Sequence, residues 1–170
     1  MTEKFLIDSN SFIAPYRFYY AFDLVPSYWD KLYEAADSGR IILLDMVRNE
    51  IAAGQDELSD WLRTKDKFII CNHVSAEIVA KYQEVIQYVQ NCGFYKQSAL
   101  DTWARASVAD PWLIAAAAAN HYTLITSEVS SGGLSKKNPN KNAKIPDVAK
   151  AFGVKTQNLY YMMRELGIKI

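Results

Sequence analysis

Four short apolar runs limit what this chain can fold into. Phe5-Leu6-Ile7, Ile41-Ile42-Leu43-Leu44, Phe68-Ile69-Ile70 and Thr123-Leu124-Ile125-Thr126 span only three or four residues each. Runs this short fit strands covered on both faces better than helices. Stretches of helical spacing separate them. Strands that alternate with helices predict an α/β fold with a parallel sheet and helices on both faces. In such folds the chemistry gathers at the carboxyl ends of the strands.

The helical stretches carry their own start and stop signals. The aromatic segment from Ser11 to Phe22 starts as a helix, with Pro15 suited to a first turn. Pro26-Ser27 opens a helix with Trp29, Leu32, Tyr33 and Ala36 at helical spacing, and Gly39 ends it. Asp45 opens a helix carrying Val47, Glu50 and Ile51, and a shorter one follows over 56–64. From Ser75 to Asn91, Ile78, Val79, Tyr82, Val85, Ile86 and Val89 form one apolar face. Residues 95–106 are partly helical. Asp110-Pro111 starts a helix that runs to Ala119, with an acid at the cap and Pro at the next position. A strong apolar segment in Phe68-Ile69-Ile70 reads as a core strand. Val129 to Ala143 has no periodicity and, at fifteen residues, suggests a mobile or binding segment. A short helix over 145–152, a last strand near Val154 and a terminal helix over 158–166 complete one domain spanning residues 1–170.

Half of the 170 residues are hydrophobic and 22% are charged, which describes a soluble globular chain. Met1 to Lys4 leads into three apolar residues only, far short of a signal segment, and no run spans a bilayer. The expectation is a cytoplasmic protein without membrane contact. Its cysteines, Cys71 and Cys92, lack metal-ligand or redox spacing and read as reduced thiols. His73 and His121 lie far apart with no evident partner, which argues against zinc chemistry and a Ser-His-Asp triad. Charge is balanced overall but divided along the chain. From Val129 onward there are eight basic and two acidic residues, a net +6, leaving −6 in residues 1–128. That division either separates a phosphate-attracting edge from an acidic pocket or is a solvated loop with scattered lysines.

Four acids stand out by position. Asp8 and Glu128 each lie just past a strand end, so a parallel sheet puts them on one edge. Asp110 starts the helix that leads into the strand before Glu128, so its end points back to that edge. Glu50 lies on the helix after the second apolar run. Each has a plainer reading: Asp8 and Asp110 as helix caps, Glu50 as a solvated helix residue, Glu128 as a loop acid. Together they form a mutually repelling cluster that a divalent cation would relieve, and an all-oxygen donor set suits Mg²⁺ or Mn²⁺.

Phe5-Leu6-Ile7-Asp8-Ser9-Asn10, Glu50, Ala109-Asp110-Pro111-Trp112-Leu113-Ile114-Ala115 and Thr126-Ser127-Glu128 resemble the acidic motifs of PIN-domain nucleases. Lys144-Ile145-Pro146-Asp147-Val148 and the aromatic N-terminal helix resemble a bacterial and archaeal PIN-like subfamily of undetermined function, related to VapC-type toxins. The resemblance covers nearly the whole chain. It implies a three-layer α/β/α PIN-like fold with a central parallel sheet, metal-dependent endonucleolytic cleavage of RNA, and toxin roles in toxin–antitoxin pairs. Carried over by position, Asp8, Glu50 and Asp110 are metal ligands. Glu128 stands where the family usually has Asp. Asn10 matches a polar residue near the metal in some relatives, and Asp147 is an additional or substitute acid.

The reaction expected is phosphodiester hydrolysis by metal-activated water, with Asp8, Glu50, Asp110 and Glu128 as metal ligands and Ser127, Thr126 and Ser9 supporting them. Lys136, Lys137, Lys141 and Lys144 suit the substrate backbone, and Tyr16, Tyr19, Tyr20 and Trp103 are either core or stacking surfaces for unpaired bases. The expected partners are an RNA substrate, an antitoxin encoded nearby and a second copy of the chain, the last through Tyr160-Tyr161-Met162-Met163 unless that helix simply faces the core. Two other readings stay open. One is a PIN-like module that binds RNA or protein without cutting. The other is a phosphotransfer protein with Asp8 as nucleophile, although Asp8-Ser9-Asn10 lacks the second acid such proteins use.

Overall fold

The structure, a computed structural model, describes residues 2–170. Five strands, β1 (Phe5–Ile7), β2 (Ile41–Leu44), β3 (Ile69–Cys71), β4 (Thr123–Ile125) and β5 (Thr156–Gln157), form one parallel sheet in the order β3-β2-β1-β4-β5. The helices are α1 (Asn10–Ala14), continued by a π-helical turn over Pro15–Tyr19, then α2 (Pro26–Asp37), α3 (Asp45–Ala52), α4 (Glu57–Arg63) and α5 (Ala76–Asn91). After these come α6 (Gln97–Trp103), α7 (Asp110–Asn120), α8 (Ile145–Ala151) and α9 (Leu159–Leu166). Helices cover the sheet in the three-layer α/β/α arrangement expected from the alternation of runs.

β1 is the central strand, and Phe5, Leu6 and Ile7 are buried with all of β2 and with Leu124 and Ile125 of β4. Phe5 is in register with both Ile41 and Thr123, and Ile7 with Ile125. Side chains buried this fully each contribute about 1.5–3 kcal/mol by leaving water. The chain adds β2 and β3 on one side of β1, then crosses to add β4 and β5 on the other. The order therefore reverses between β1 and β4, and a crevice opens at the carboxyl ends of those two strands. Asp8 follows one of them and Thr126-Ser127-Glu128 the other.

Several local expectations need correction. β3 is an edge strand, not a core strand: Ile69 and Ile70 are 41% and 46% exposed, and only Phe68 before them is buried. Pro15 lies past the first turn, at the junction where α1 gives way to the π turn. A proline ring crowds the carbonyl four residues back and offers no N–H, and the backbone widens there instead of breaking. The Tyr20 N–H accordingly reaches the Pro15 carbonyl at 2.7 Å, five residues back. Neither Asp8 nor Asp110 caps a helix with its side chain. Ser9 and Ala109 occupy the cap positions of α1 and α7, and neither helix has a side-chain cap. The segment over 129–143 is irregular as expected but is tied down. Asn140 bridges to Tyr95, the Lys96 N–H donates to the Asn140 carbonyl at 2.7 Å, and Ser98 Oγ donates to the Lys141 carbonyl at 3.2 Å.

Candidate functional site

Asp8 is buried at the end of β1, and its backbone N–H continues the β4 ladder by donating to the Ile125 carbonyl at 2.9 Å. Thr126, one residue past β4, donates its hydroxyl to Asp8 Oδ2 at 3.0 Å. Burial pushes the Asp8 carboxyl above its ordinary range. The Thr126 bond works against that push, and the charges of Glu128 and Glu50 add to it. The same Thr126 oxygen accepts the Glu128 N–H at 3.1 Å, so one hydroxyl fixes both the aspartate and the turn that carries the glutamate.

Asp110 is the first residue of α7, and its carboxylate has no hydrogen-bond donor among the described residues. Burial, then the charges of Glu128 and Asp8, push it up to about 7, with Glu50 adding and Lys144 opposing. The four acids are thus close enough to feel one another. Glu50 does so from the exposed side of α3, after β2. Glu128 differs from the rest. Its Oε2 accepts the Ile145 N–H at 2.7 Å and its Oε1 lies 3.7 Å from Lys144 Nζ, so it secures the start of α8.

The other candidates divide. Lys141 and Lys144 line a cleft of about 200 Å³ with Asp110 and Glu128. Lys136 lies instead over the Phe94 ring, 5.9 Å from its centroid, and Lys137 is exposed on the loop. Asn10 and Ser127 line a second, larger cavity on the other side of Glu128, with a volume of about 530 Å³. Asp147 does not join the acids: its Oδ2 accepts the Ser131 N–H at 2.9 Å, and its charge acts on Tyr88 and Tyr95.

One pairing contradicts the sequence reading. His73 has a partner: its Nδ1 lies 2.8 Å from Asp45 Oδ2, and its backbone N–H approaches Asp45 Oδ1 at 3.3 Å. Asp45 follows β2 and His73 follows β3, which are neighbours in the sheet, so both stand on the acid-bearing edge. Position after a strand end, the signal that singled out Asp8 and Glu128, applies equally to this pair.

Among the described residues, no three His, Cys, Asp or Glu side chains stand close enough together to hold a metal ion. The donor set nonetheless fits a hard divalent cation. It consists of carboxylates only, and two of them are held above their ordinary pKa for want of positive charge.

A family model described as "Domain of unknown function (DUF4411)" matches residues 5–170. The chain belongs to that family. No curated protein matches it. Among solved structures this DUF4411 chain is similar to one in the crystal structure of VapBC2 from Rickettsia felis bound to a DNA fragment from their promoter. The two are 14% identical, with 91% of this chain and 97% of the other covered and a TM-score of 0.53. The DUF4411 chain has the PIN-like fold, with its all-parallel sheet and its acids at the switch point. No helix among its described residues is long and apolar enough to cross a membrane.

Proposed function

We propose that this chain is a metal-dependent endoribonuclease, with Asp8, Asp110 and Glu50 holding Mg²⁺ or Mn²⁺. One observation carries the reading: acids 120 positions apart in sequence, Asp8 and Glu128, share the switch-point crevice with Asp110 and are opposed there chiefly by Lys144. A bound cation supplies the positive charge that activates water and neutralises charge developing on the phosphate. The chain's own groups do the rest. Thr126 orients Asp8 by its hydroxyl bond, and Glu128 positions α8 and with it Lys144. Lys141 and Lys144 draw the phosphodiester backbone to the cleft beside Asp110. The likeness to VapBC2, solved on its promoter DNA, supports a role as the toxin of a toxin–antitoxin pair, with a partner protein encoded nearby and a homodimer as the working unit.

The test is digestion of labelled RNA with Mg²⁺ or Mn²⁺ by the wild type, Asp8→Asn and Asp110→Asn. Both variants are expected to lose at least about a hundredfold in rate, beyond the roughly 10–100-fold typical of groups that only support a ligand. Equal activity in all three proteins overturns the assignment. A second reading, a module that binds without cutting, is favoured by the engagement of both Glu128 oxygens and by the separation of the acids. It predicts RNA binding that survives chelation of the metal, with no cleavage by the wild type.

A further inference from the structure

The cavity of about 530 Å³ has walls unlike those of the lysine-bearing cleft. Tyr19, Tyr20 and Tyr160 line it together with the amides of Asn10 and Gln157. Its lining carries one acidic side chain, Glu128, and no basic one. Tyr19 and Tyr160 are 66% and 51% exposed, large aromatic surfaces left open to solvent. Tyr20 is held in place. Its ring stacks on Tyr28 at 4.3 Å between centroids, and its carbonyl accepts Trp29 Nε1–H at 2.7 Å. The π turn over Pro15–Tyr19 presents this wall, and turns of that kind recur at functional sites. The side-chain amides of Asn10 and Gln157 have no hydrogen-bond partner among the described residues and are free to donate and to accept.

We infer that this cavity is a subsite for one unpaired nucleobase of the RNA strand, next to the acids. The inference rests on the reading that the site takes RNA. Flat aromatic faces with free amides match a base, which stacks on its faces and hydrogen-bonds at its edge. A lining without lysine or arginine suits the neutral base and not the phosphate. Glu128 borders both spaces, so a strand with its backbone against Lys141 and Lys144 on one side reaches the cavity on the other. The volume lies within the roughly 300–1,000 Å³ of sites that enclose small organic groups.

The experiment measures anisotropy of a fluorescein-labelled hexauridylate, and of an abasic chain of equal length, with Ca²⁺ in place of Mg²⁺. The proteins are the wild type, Tyr19→Ala, Tyr160→Ala and Tyr160→Phe, each checked for fold by its melting curve. Tyr160→Ala is expected to weaken hexauridylate binding about tenfold, the size of one lost stacking contact. Tyr160→Phe keeps it, and abasic binding is unchanged in all four. Equal affinities for the two probes, hexauridylate affinity unmoved in both Ala variants, or equal losses on both probes each overturn the subsite. Cleavage without tyrosine dependence removes the subsite and leaves the nuclease; tyrosine-dependent binding without cleavage does the reverse.

Discussion

At the amino end of the sheet, Glu3 accepts hydrogen bonds from Thr123 Oγ1 at 2.6 Å, Lys155 Nζ at 2.9 Å and Tyr161 Oη at 3.0 Å. Burial pushes its carboxyl up, but these donors outweigh it and hold the group below its ordinary value. At the carboxyl end Asp110 has no such donor and is pushed up to about 7 by burial and by neighbouring acids. The two ends belong to one sheet and draw on the same strands. An acid supplied with donors ties β4, β5 and α9 together. An acid deprived of them has unsatisfied charge to offer an incoming cation. Donor supply therefore separates the structural acid from the functional one better than burial or position does.

The sharpest way to break this comparison is to neutralise one acid at each end. Asp110→Asn is expected to remove cleavage while leaving stability at pH 8 equal or higher, because a repelling charge is gone. Glu3→Gln is expected to leave cleavage intact and lower the melting temperature by about 2–4 °C, for a loss of about 1 kcal/mol. Matching stability losses in the two variants would erase the distinction. The second test is pH. A carboxyl raised in the folded state favours folding while protonated, so the Asp110 contribution is full below about 4 and is lost as pH rises through about 7. Glu3 runs the other way, its contribution present above about 4.5 and lost as pH falls through its depressed value. Melting curves across pH should show both slopes, and millimolar Mg²⁺ should flatten only the one near neutrality. A smaller effect separates the lysines. Lys144→Ala should reduce the salt dependence of RNA binding by about one unit of slope, and Lys155→Ala at the Glu3 end should leave it unchanged.

Much of this arrangement was legible in the sequence because period and position carry it. Phe5-Leu6-Ile7 and Thr123-Leu124-Ile125-Thr126 are short, and in a parallel sheet whatever follows them shares an edge, which placed Asp8 and Glu128 together. The terminal helix also matches, with Asn158 as its cap and Gly167 in the left-handed conformation at its end. What stayed hidden depends on pairing order. Phe68-Ile69-Ile70 has the composition of a core strand, and only the sheet order shows that nothing pairs beyond it. Asp45 and His73 meet because β2 and β3 are neighbours, a fact no local spacing holds. Asp147 sits on the expected helix, but Ser131 takes its carboxylate, and a loop's course is not written in periodicity.

The π turn has a consequence for descent. It holds one more residue than an α turn, so losing one codon within Pro15–Tyr19 returns the segment to an α-helix and swings the residues after it about 100° around the axis. Tyr20 would leave the cavity wall while Asp8, one turn earlier, stayed in place. The tyrosine wall can thus be gained or lost between relatives by a single-residue insertion or deletion, with the acids untouched. The distance in sequence from Asp8 to Trp29, measured across the family, reads this directly: a constant distance in chains that differ in their tyrosines rules it out.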